Sequence, residues 1–275
     1  MKFTALGAVY HKDVPNHFSA SLESIINQTA MPTQIVLVRD GIVDKKIESI
    51  IKNYTHKFNL LDIKFTYIKL KENEGLSKAL NVGLEHCEHE YIARFDSDDI
   101  NLPERFQKQI KHLSNFPEVD VLSANITEFV SDPLRHEFTR AFRFNEKNIE
   151  NKLLSRCCIN HATVFFKKIS VLEAGGYDSP EMQEDYGLWL RMLKNKCKFY
   201  QMDETLVLVR IGNGFYGRRN GFVHVKAELS LFMLKLYLFP LKFFFIIPIS
   251  IVRVILRALP RQALSLIYKL FLRKK

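Results

Sequence analysis

Short apolar runs alternate with amphipathic stretches along the first 126 residues of the chain. A short apolar run is typical of a buried strand, and apolar positions that recur about every 3.6 residues indicate a helix. The predicted strands are Phe3–Tyr10, Ile35–Val38, Ile63–Ile68, Tyr91–Phe95 and Val119–Ile126; the predicted helices are Pro15–Asn27, Asp44–Asn53, Leu76–Cys87 and one from Pro103 to about Asn115. This alternation predicts an α/β fold, with a mostly parallel central sheet flanked by helices.

The pattern is less regular in the next part of the chain. Asp132–Ile149 is polar and irregular, and we expect a mobile segment over a binding site there. Beyond it, Ala162–Phe166 and Leu206–Arg210 have the composition of strands. Gly175–Asp178 predicts a turn, and Gln183–Leu193 predicts a helix.

A strongly apolar stretch follows Glu228, and its longest uncharged run, Phe243–Val252, is about half of the ~20 residues that a spanning helix needs. Pro240 and Pro248 interrupt it. Its cations fall within a narrow arc of a helix, at Lys235, Lys242, Arg253 and Arg257. We therefore predict a domain over residues 1–227, followed by C-terminal amphipathic helices over 228–275 that lie on a membrane surface. The alternative is a helical pair packed on the core.

The net charge of +10 belongs to this tail. From Arg210 onward the chain has 13 Lys and Arg but only one acid, which gives +12, whereas the first 209 residues carry −2. Such a surplus predicts an anionic partner, and the Phe, Leu and Ile content favours a membrane surface over nucleic acid. The four cysteines show no C-x-x-C spacing, and the N-terminus lacks signal-peptide features, so we expect a reduced cytoplasmic protein.

Polar residues lie at the carboxyl ends of four predicted strands or in the segments that follow them. They are Tyr10, Asp40, Asn73–Gly75 and Asp96–Asp99. Ligands of parallel α/β sheets bind at this edge. Gly75 begins a helix whose N–H groups can receive an anion, and Lys78 lies one turn further on. The alternative for this last segment is an ordinary capped helix.

Two acidic clusters about ninety residues apart carry the strongest chemical signal. F-D-S-D-D at Phe95–Asp99 offers Asp96 and Asp98 as ligands for a divalent metal against a diphosphate. Glu184 and Asp185 begin a helix, and one of them can act as a general base. The alternative for Asp96–Asp99 is an acidic helix N-cap. The alternative for Glu184 and Asp185 is a pair of first-turn acids that complement the helix dipole.

Three further residues are candidates for contacts with an acceptor or a diphosphate. His161 is one, and a partly buried, hydrogen-bonded histidine is its alternative interpretation. Arg218 and Arg219 lie between two glycines and can grip a diphosphate. Their alternative is a solvated basic loop.

The ordered set of motifs from Phe3 to Gly221 resembles the family 2 glycosyltransferases, which have the GT-A fold. The matching segments are Val9–Tyr10, Leu22–Thr29, Ile35–Gly41, Asn73–Asn81, Tyr91–Asp99, Asn160–Lys168, Gly175–Asp178 and Glu184–Arg191. The resemblance implies an inverting transferase that uses a UDP-sugar and Mn²⁺ or Mg²⁺. It also implies roles for six residues. Asp40 would bind uracil beside Tyr10, Asp96 would contact ribose and metal, and Asp98 would ligate the metal. Asp185 would be the base beside Glu184.

Where the family often has two acids before the glycine, this chain has Arg39 and Asp40, so only Asp40 is assigned. G-R-R-N-G at Gly217–Gly221 and the basic tail are similar to the amylovoran and O-antigen subgroup. That subgroup implies transfer of Gal or Glc to GlcNAc- or GalNAc-diphosphate-undecaprenol, by a peripheral enzyme at the cytoplasmic face of the bacterial inner membrane. No Q-x-x-R-W motif of processive synthases is present, which favours one sugar per encounter.

Three alternatives remain at the level of sequence. A sugar nucleotidyltransferase would usually carry a Gly-rich loop after the first strand, and Val9–Asp13 is not Gly-rich. A non-catalytic membrane or polysaccharide-binding module would not need Asp98 and Asp185. Nucleic-acid binding through the tail would be strongly salt-sensitive.

Overall fold

The computed structural model describes residues 1–178, 183–212 and 222–258 of the 275-residue chain. Arg218, Arg219 and the segment from 259 to 275 lie outside the described residues. The described residues form one mixed sheet, in the order β3-β2-β1-β4-β8-β6-β9-β5, with β7 paired to β6. Its strands are β1 Thr4–Tyr10, β2 Gln34–Asp40, β3 Lys64–Lys69, β4 Tyr91–Arg94, β5 Ile100–Asn101, β6 Val121–Phe129, β7 His136–Arg140, β8 Phe165–Lys167 and β9 Phe199–Arg210.

Helices cover both faces of this sheet. They are α1 Pro15–Ile26, α2 Lys45–Leu60, α3 Leu76–His86, α4 Arg105–Asn115, α5 Ile149–Ser155, α6 Lys168–Glu173, α7 Glu184–Lys194, α8 Phe222–Leu238 and α9 Phe243–Ala258. Successive residues of β1 point to opposite faces, so Ala5 joins a core cluster with Phe18 of α1, and Leu6 joins another with Trp189 of α7. The second cluster also contains Leu231 of α8.

The first half of the chain has the predicted alternation of strands and helices. Strands β3, β2, β1 and β4 are parallel neighbours. The strand order reverses at β1, because β2 lies on one side of it and β4 on the other. A crevice beyond the carboxyl ends of the strands at such a reversal is the usual binding place in this kind of sheet.

The sheet is mixed in its second half, where we predicted a mostly parallel arrangement. Strand β8 is antiparallel to both β4 and β6, and β7 is antiparallel to β6. Strand β7 lies within the segment predicted to be irregular and mobile. It escaped the sequence pattern because its five residues, H-E-F-T-R, contain a single apolar side chain and none of them is fully buried.

The C-terminal helices pack on the domain through their cationic side. Lys235 is only 1% exposed, and its Nζ donates a hydrogen bond of 2.8 Å to the Leu154 carbonyl. Arg253 forms an ion pair of 2.7 Å with buried Glu228. Thus Lys235 and Arg253 turn toward the protein. The predicted boundary between residues 227 and 228 falls inside α8, and the division into two domains stays a prediction.

The outward side of α8, of α9 and of the turn between them is apolar. Tyr237 is 82% exposed, Leu241 94% and Phe244 81%. In the part of the chain that the structure describes, no single helix is long and apolar enough to cross a bilayer. Two consecutive helical segments are long and apolar enough only when taken together, and they are Val223–Leu238 and Pro240–Leu256. The chain bends by 114° between them.

Candidate active site

The carboxyl ends of the neighbouring strands β1, β2 and β4 bring the predicted donor-site residues to one edge. Tyr10 and Asp40 are register partners on β1 and β2. Asp96 follows β4, which pairs with the other side of β1. Gly7 keeps this region close-packed, since a Cβ at that position would lie 2.4 Å from the Phe95 ring.

Asp40 holds the loop before α3 in place. Its Oδ1 accepts a hydrogen bond of 2.7 Å from the Glu74 N–H, and its Oδ2 accepts one of 2.9 Å from the Gly75 N–H. The Asn73 amide donates to the same Oδ2 at 3.0 Å. Gly75 has a φ of 89°, which favours glycine, and Lys78 is exposed in the first turn of α3. Asp40 therefore stabilises the loop before α3, and its contact with uracil stays a prediction.

The acidic turn after β4 gathers three carboxylates near one another. Burial, and then the neighbouring Asp96 and Asp13 carboxylates, raise the pKa of Asp98 to about 6. Asp13, which the sequence analysis missed, accepts a hydrogen bond of 2.8 Å from the Tyr10 N–H. Asp99 is buried and accepts a hydrogen bond of 2.8 Å from the Arg210 N–H, so it fixes the end of β9.

These carboxylates fit a divalent cation only together with a substrate. No group of three or more His, Cys, Asp and Glu side chains in the described ranges is arranged to hold a metal ion. Mg²⁺ and similar hard cations, however, usually bind one or two carboxylates plus substrate phosphates, without a cage built entirely by protein. Asp98, with Asp96 and Asp13 close enough to raise its pKa, supplies oxygen ligands of that kind.

Arg94 is the residue that connects the two acidic clusters. It is 4% exposed, and both of its terminal nitrogens donate to the two Asp96 oxygens. Its positive charge also acts on Glu184 and Asp185, lowering the pKa of each against the larger effect of burial. The clue in the sequence was a charged residue inside the apolar run Tyr91–Phe95, because a buried charge needs a partner.

The second acidic cluster lies at the beginning of α7. Asp185 Oδ1 accepts a hydrogen bond of 2.7 Å from the Tyr186 N–H, and the Cys157 thiol lies 4.0 Å from Asp185 Oδ2. Burial raises the pKa of Asp185 and, with help from the Asp185 charge, that of Glu184. A carboxylate with a raised pKa is a better proton acceptor, which suits the predicted general base.

Contacts among distant motifs hold α7 in position. The Arg191 guanidinium of α7 donates to the carbonyls of Ala174, Gly176 and Asp178. Asn81 of α3 accepts a hydrogen bond of 2.8 Å from the Tyr177 N–H. Gly176 has a φ of 65°, and a Cβ there would lie 2.6 Å from Asn81 Oδ1. These contacts join three of the segments that carried the family resemblance, which are Asn73–Asn81, Gly175–Asp178 and Glu184–Arg191.

His161 packs against two aromatic side chains, Tyr177 and Trp189 of α7. Its Nε2 is 3.0 Å from the Tyr177 hydroxyl, and its ring meets Trp189 edge-on at 5.9 Å. Burial, and then the Arg94 charge, lower the pKa of His161 well below its ordinary value. A neutral, hydrogen-bonded histidine matches the alternative interpretation, and its acceptor contact stays a prediction.

Comparison with solved structures shows the fold to which the chain belongs. The mannosyltransferase PcManGT of Pyrobaculum calidifontis, in complex with GDP-Man and Mn²⁺, aligns with 99% of this chain and 81% of its own, at a TM-score of 0.63 and 16% identity. At that identity the likeness shows the fold alone, and this fold is that of the GT-A glycosyltransferases.

Comparison of sequences then gives the family. Residues 10–172 match Glycosyl transferase family 2. The amylovoran biosynthesis glycosyltransferase AmsE of Erwinia amylovora is 34% identical, over 97% of this chain and 98% of the relative. The UDP-Gal:alpha-D-GlcNAc-diphosphoundecaprenol beta-1,3-galactosyltransferase of Escherichia coli is 33% identical, over 99% of this chain and 97% of the relative. The chain belongs to glycosyl transferase family 2, as its motifs predicted, and is a glycosyltransferase.

Proposed function

We propose that this enzyme transfers a hexose, Gal or Glc, from a UDP-sugar to GlcNAc- or GalNAc-diphosphate-undecaprenol, with inversion at the anomeric carbon. The observation that carries the proposal is the convergence of the Asp96–Asp99 turn and the Glu184–Asp185 pair around Arg94. Similarity to the galactosyltransferase of Escherichia coli over almost the whole chain supports the substrate class. Such a transferase would serve O-antigen or exopolysaccharide repeat-unit assembly.

The donor is proposed to bind at the carboxyl ends of β1, β2 and β4. Tyr10 would border the uracil ring held near Asp40, and Asp96 would contact the ribose. Gly75 and Lys78 would face the diphosphate from the beginning of α3, where main-chain N–H groups favour an anion. Asp98 and Asp96 would hold Mn²⁺ or Mg²⁺, which supplies positive charge opposite the diphosphate leaving group.

The acceptor is proposed to enter on the side of α7. Asp185 would accept the proton of the attacking hydroxyl at a carboxylate oxygen, and Glu184 would support it. The attack would come from the face of the sugar opposite the leaving diphosphate, so the anomeric configuration would invert. Arg94 would hold Asp96 and keep a positive charge near the base throughout.

A donor screen tests the reaction class. The full chain would be incubated with Mn²⁺, a synthetic GlcNAc-α-diphosphate-lipid, and each of UDP-Gal, UDP-Glc, UDP-GlcNAc and UDP-GalNAc. We expect product from UDP-Gal or UDP-Glc, with a β linkage by NMR. An α linkage would exclude inversion, and failure of the folded protein to bind UDP would exclude the donor class.

Asp98→Asn is expected to lower the transfer rate by about 100-fold or more, because the metal would lose a charged ligand. EDTA should stop the wild-type reaction, and added Mn²⁺ should restore it. The matched control is Asp203→Asn, since the Asp203 side chain is 78% exposed and far along the chain from the acidic turn. Calorimetry should show that Mn²⁺ strengthens UDP binding to the control but hardly to Asp98→Asn. Full activity in EDTA would contradict metal dependence.

The tail is proposed to lie on the cytoplasmic face of the inner membrane with its apolar side in the lipid. Replacing Tyr237, Leu241 and Phe244 together with Ser is expected to weaken binding to vesicles with anionic lipid by at least about 100-fold, because burying each side chain contributes roughly 1.5–3 kcal/mol. Leu134→Ser is the control, as Leu134 is also exposed but lies outside the tail. Vesicle flotation measures the difference. Equal flotation of both variants would contradict this membrane surface.

A further inference from the structure

Two arginines converge on one aromatic ring beside the proposed active site. Arg140 is the last residue of β7, and Arg156 follows α5. Their guanidinium carbons lie 5.8 and 5.4 Å from the centroid of the Phe142 ring. Cation–π contacts of this kind stabilise each charge on the ring. Both positive charges therefore lie within about 6 Å of the centre of the same ring.

Neither arginine has an acidic partner among the described residues. The Arg140 Nε donates to the neutral side-chain oxygen of Asn160 at 3.1 Å. The ion pairs between described residues include Arg143, which lies 3.8 Å from Asp203, but not Arg140 or Arg156. Arg156 is exposed and Arg140 is partly buried. Two positive charges on one ring that no described acid neutralises favour the binding of an anion with more than one charge.

The pair lies between the proposed base and the membrane-facing helices. Arg140 is close enough to Asp185 for its charge to lower the pKa of that carboxyl, against the larger effect of burial. Arg156 follows Ser155, whose carbonyl accepts a hydrogen bond of 3.4 Å from Arg253 of α9. Helix α5, which ends just before Arg156, is also tied to the tail by the Lys242–Glu150 ion pair of 2.8 Å.

We propose that Arg140 and Arg156 form the binding subsite for the diphosphate of the lipid-linked acceptor. This inference rests on the proposed function and adds the residues that recognise its acceptor. Guanidinium groups pair with phosphate oxygens through two parallel hydrogen bonds, and two such groups match the two phosphates. The acceptor sugar then extends from Arg140 toward Asp185, and the lipid extends from Arg156 toward α8 and α9.

The subsite differs from the one assigned to Arg218 and Arg219 from the sequence. Those residues lie outside the described residues, whereas Arg140 and Arg156 have a defined position relative to the base. No bond of the acceptor diphosphate is broken in this reaction, so the arginines serve binding and positioning. Their loss should therefore change the affinity for the acceptor more than the rate of the bound complex.

Binding of two synthetic acceptors to the full chain tests the subsite. One is GlcNAc-α-diphosphate-alkyl, and the other is an alkyl GlcNAc glycoside without phosphate. Calorimetry in the presence of UDP would compare the wild type with Arg140→Gln, Arg156→Gln and the matched control Arg135→Gln. Arg135 is suitable because its side chain is 87% exposed and its partner is Asp132. Arg140→Lys and Arg156→Lys keep the positive charge. Recovery of binding in these variants would show that the loss in the Gln variants comes from the missing charge and not from a folding defect.

We expect each Gln variant to weaken binding of the diphosphate acceptor by at least about tenfold, with partial recovery in the Lys variants. The control, the phosphate-free acceptor and UDP itself should bind as before. If UDP binding weakens by the same factor, the arginines belong to the donor site and the inference is wrong. A third outcome is that the wild type makes product and the Gln variants bind the diphosphate acceptor as tightly as the wild type. In that case the proposed function stands and only the subsite is wrong. If the wild type does not prefer the diphosphate acceptor, both the subsite and the proposed acceptor are wrong.

Discussion

Asp185→Asn is expected to lower the turnover of the proposed transfer by about 10³-fold, within the range that general base catalysis contributes. An amide cannot accept the proton of the attacking hydroxyl, but its oxygen can still accept the hydrogen bond that Asp185 takes from the Tyr186 N–H. The fold should therefore survive. Initial rates with saturating donor and acceptor measure the loss, and calorimetry with UDP should give wild-type affinity.

Glu184→Gln is the matched control for the assignment of the base. Both acids are in the first turn of α7, and burial raises the pKa of each. We expect a much smaller loss of turnover for Glu184→Gln, because Glu184 is proposed only to support the base. A large loss in Glu184→Gln with near-normal turnover in Asp185→Asn would transfer the role of base to Glu184.

The pH dependence of the wild type carries the same information. The base works as a carboxylate, so the rate should fall as the pH falls through the pKa of Asp185. Because burial raises that pKa, the acidic limb of the kcat/KM profile should lie above the ordinary Asp value of about 4. A flat profile down to about pH 4 would contradict an Asp185 base with a raised pKa.

The sequence was sufficient to bring the residues of the proposed donor site to one edge of the sheet. The apolar runs that form β1, β2 and β4 end where polar residues begin, so the sequence shows the carboxyl end of each strand. Parallel pairing places those ends together. Tyr10 and Asp40 are indeed register partners. The polar strand β7 was missed, because its five residues carry too few apolar side chains to show a period.

Only the structure shows which way the cationic side chains of the tail point. The periodicity placed Lys235 and Arg253 on one side of the helices, but it could not tell whether that side meets lipid headgroups or protein. The partners that decide this are the Leu154 carbonyl on α5 and Glu228 on α8. A main-chain carbonyl on another helix leaves no trace in the pattern of the tail itself.

Arg94 has the largest predicted effect among the residues that the sequence analysis overlooked. Arg94→Met is expected to lower the free energy of unfolding by about 2 kcal/mol, because Asp96, which is only partly buried, would lose both of its charge-assisted hydrogen bonds to the guanidinium. Chemical denaturation measures the change, and the exposed Arg135→Met should unfold at the wild-type midpoint.

The same substitution should act on catalysis through both acidic clusters. We expect kcat/KM to fall by about 100-fold or more, because Asp96 loses its orientation and the proposed base loses a nearby positive charge. Arg94 lowers the pKa of Asp185, so its removal should move the acidic limb of the pH profile to higher pH. Damage to the fold alone would reduce the amount of active enzyme without moving that limb.

Arg94→Lys separates the charge from the geometry of the guanidinium. Lysine keeps a positive charge near Asp185 but cannot hold both Asp96 oxygens in the planar fork. The acidic limb should thus stay near its wild-type position while kcat/KM remains reduced. If Arg94 acts through Asp96, the losses of Arg94→Lys and Asp96→Asn should not add in the double variant. Full additivity would mean that Arg94 and Asp96 work independently, and it would remove Arg94 as the link between the two acidic clusters.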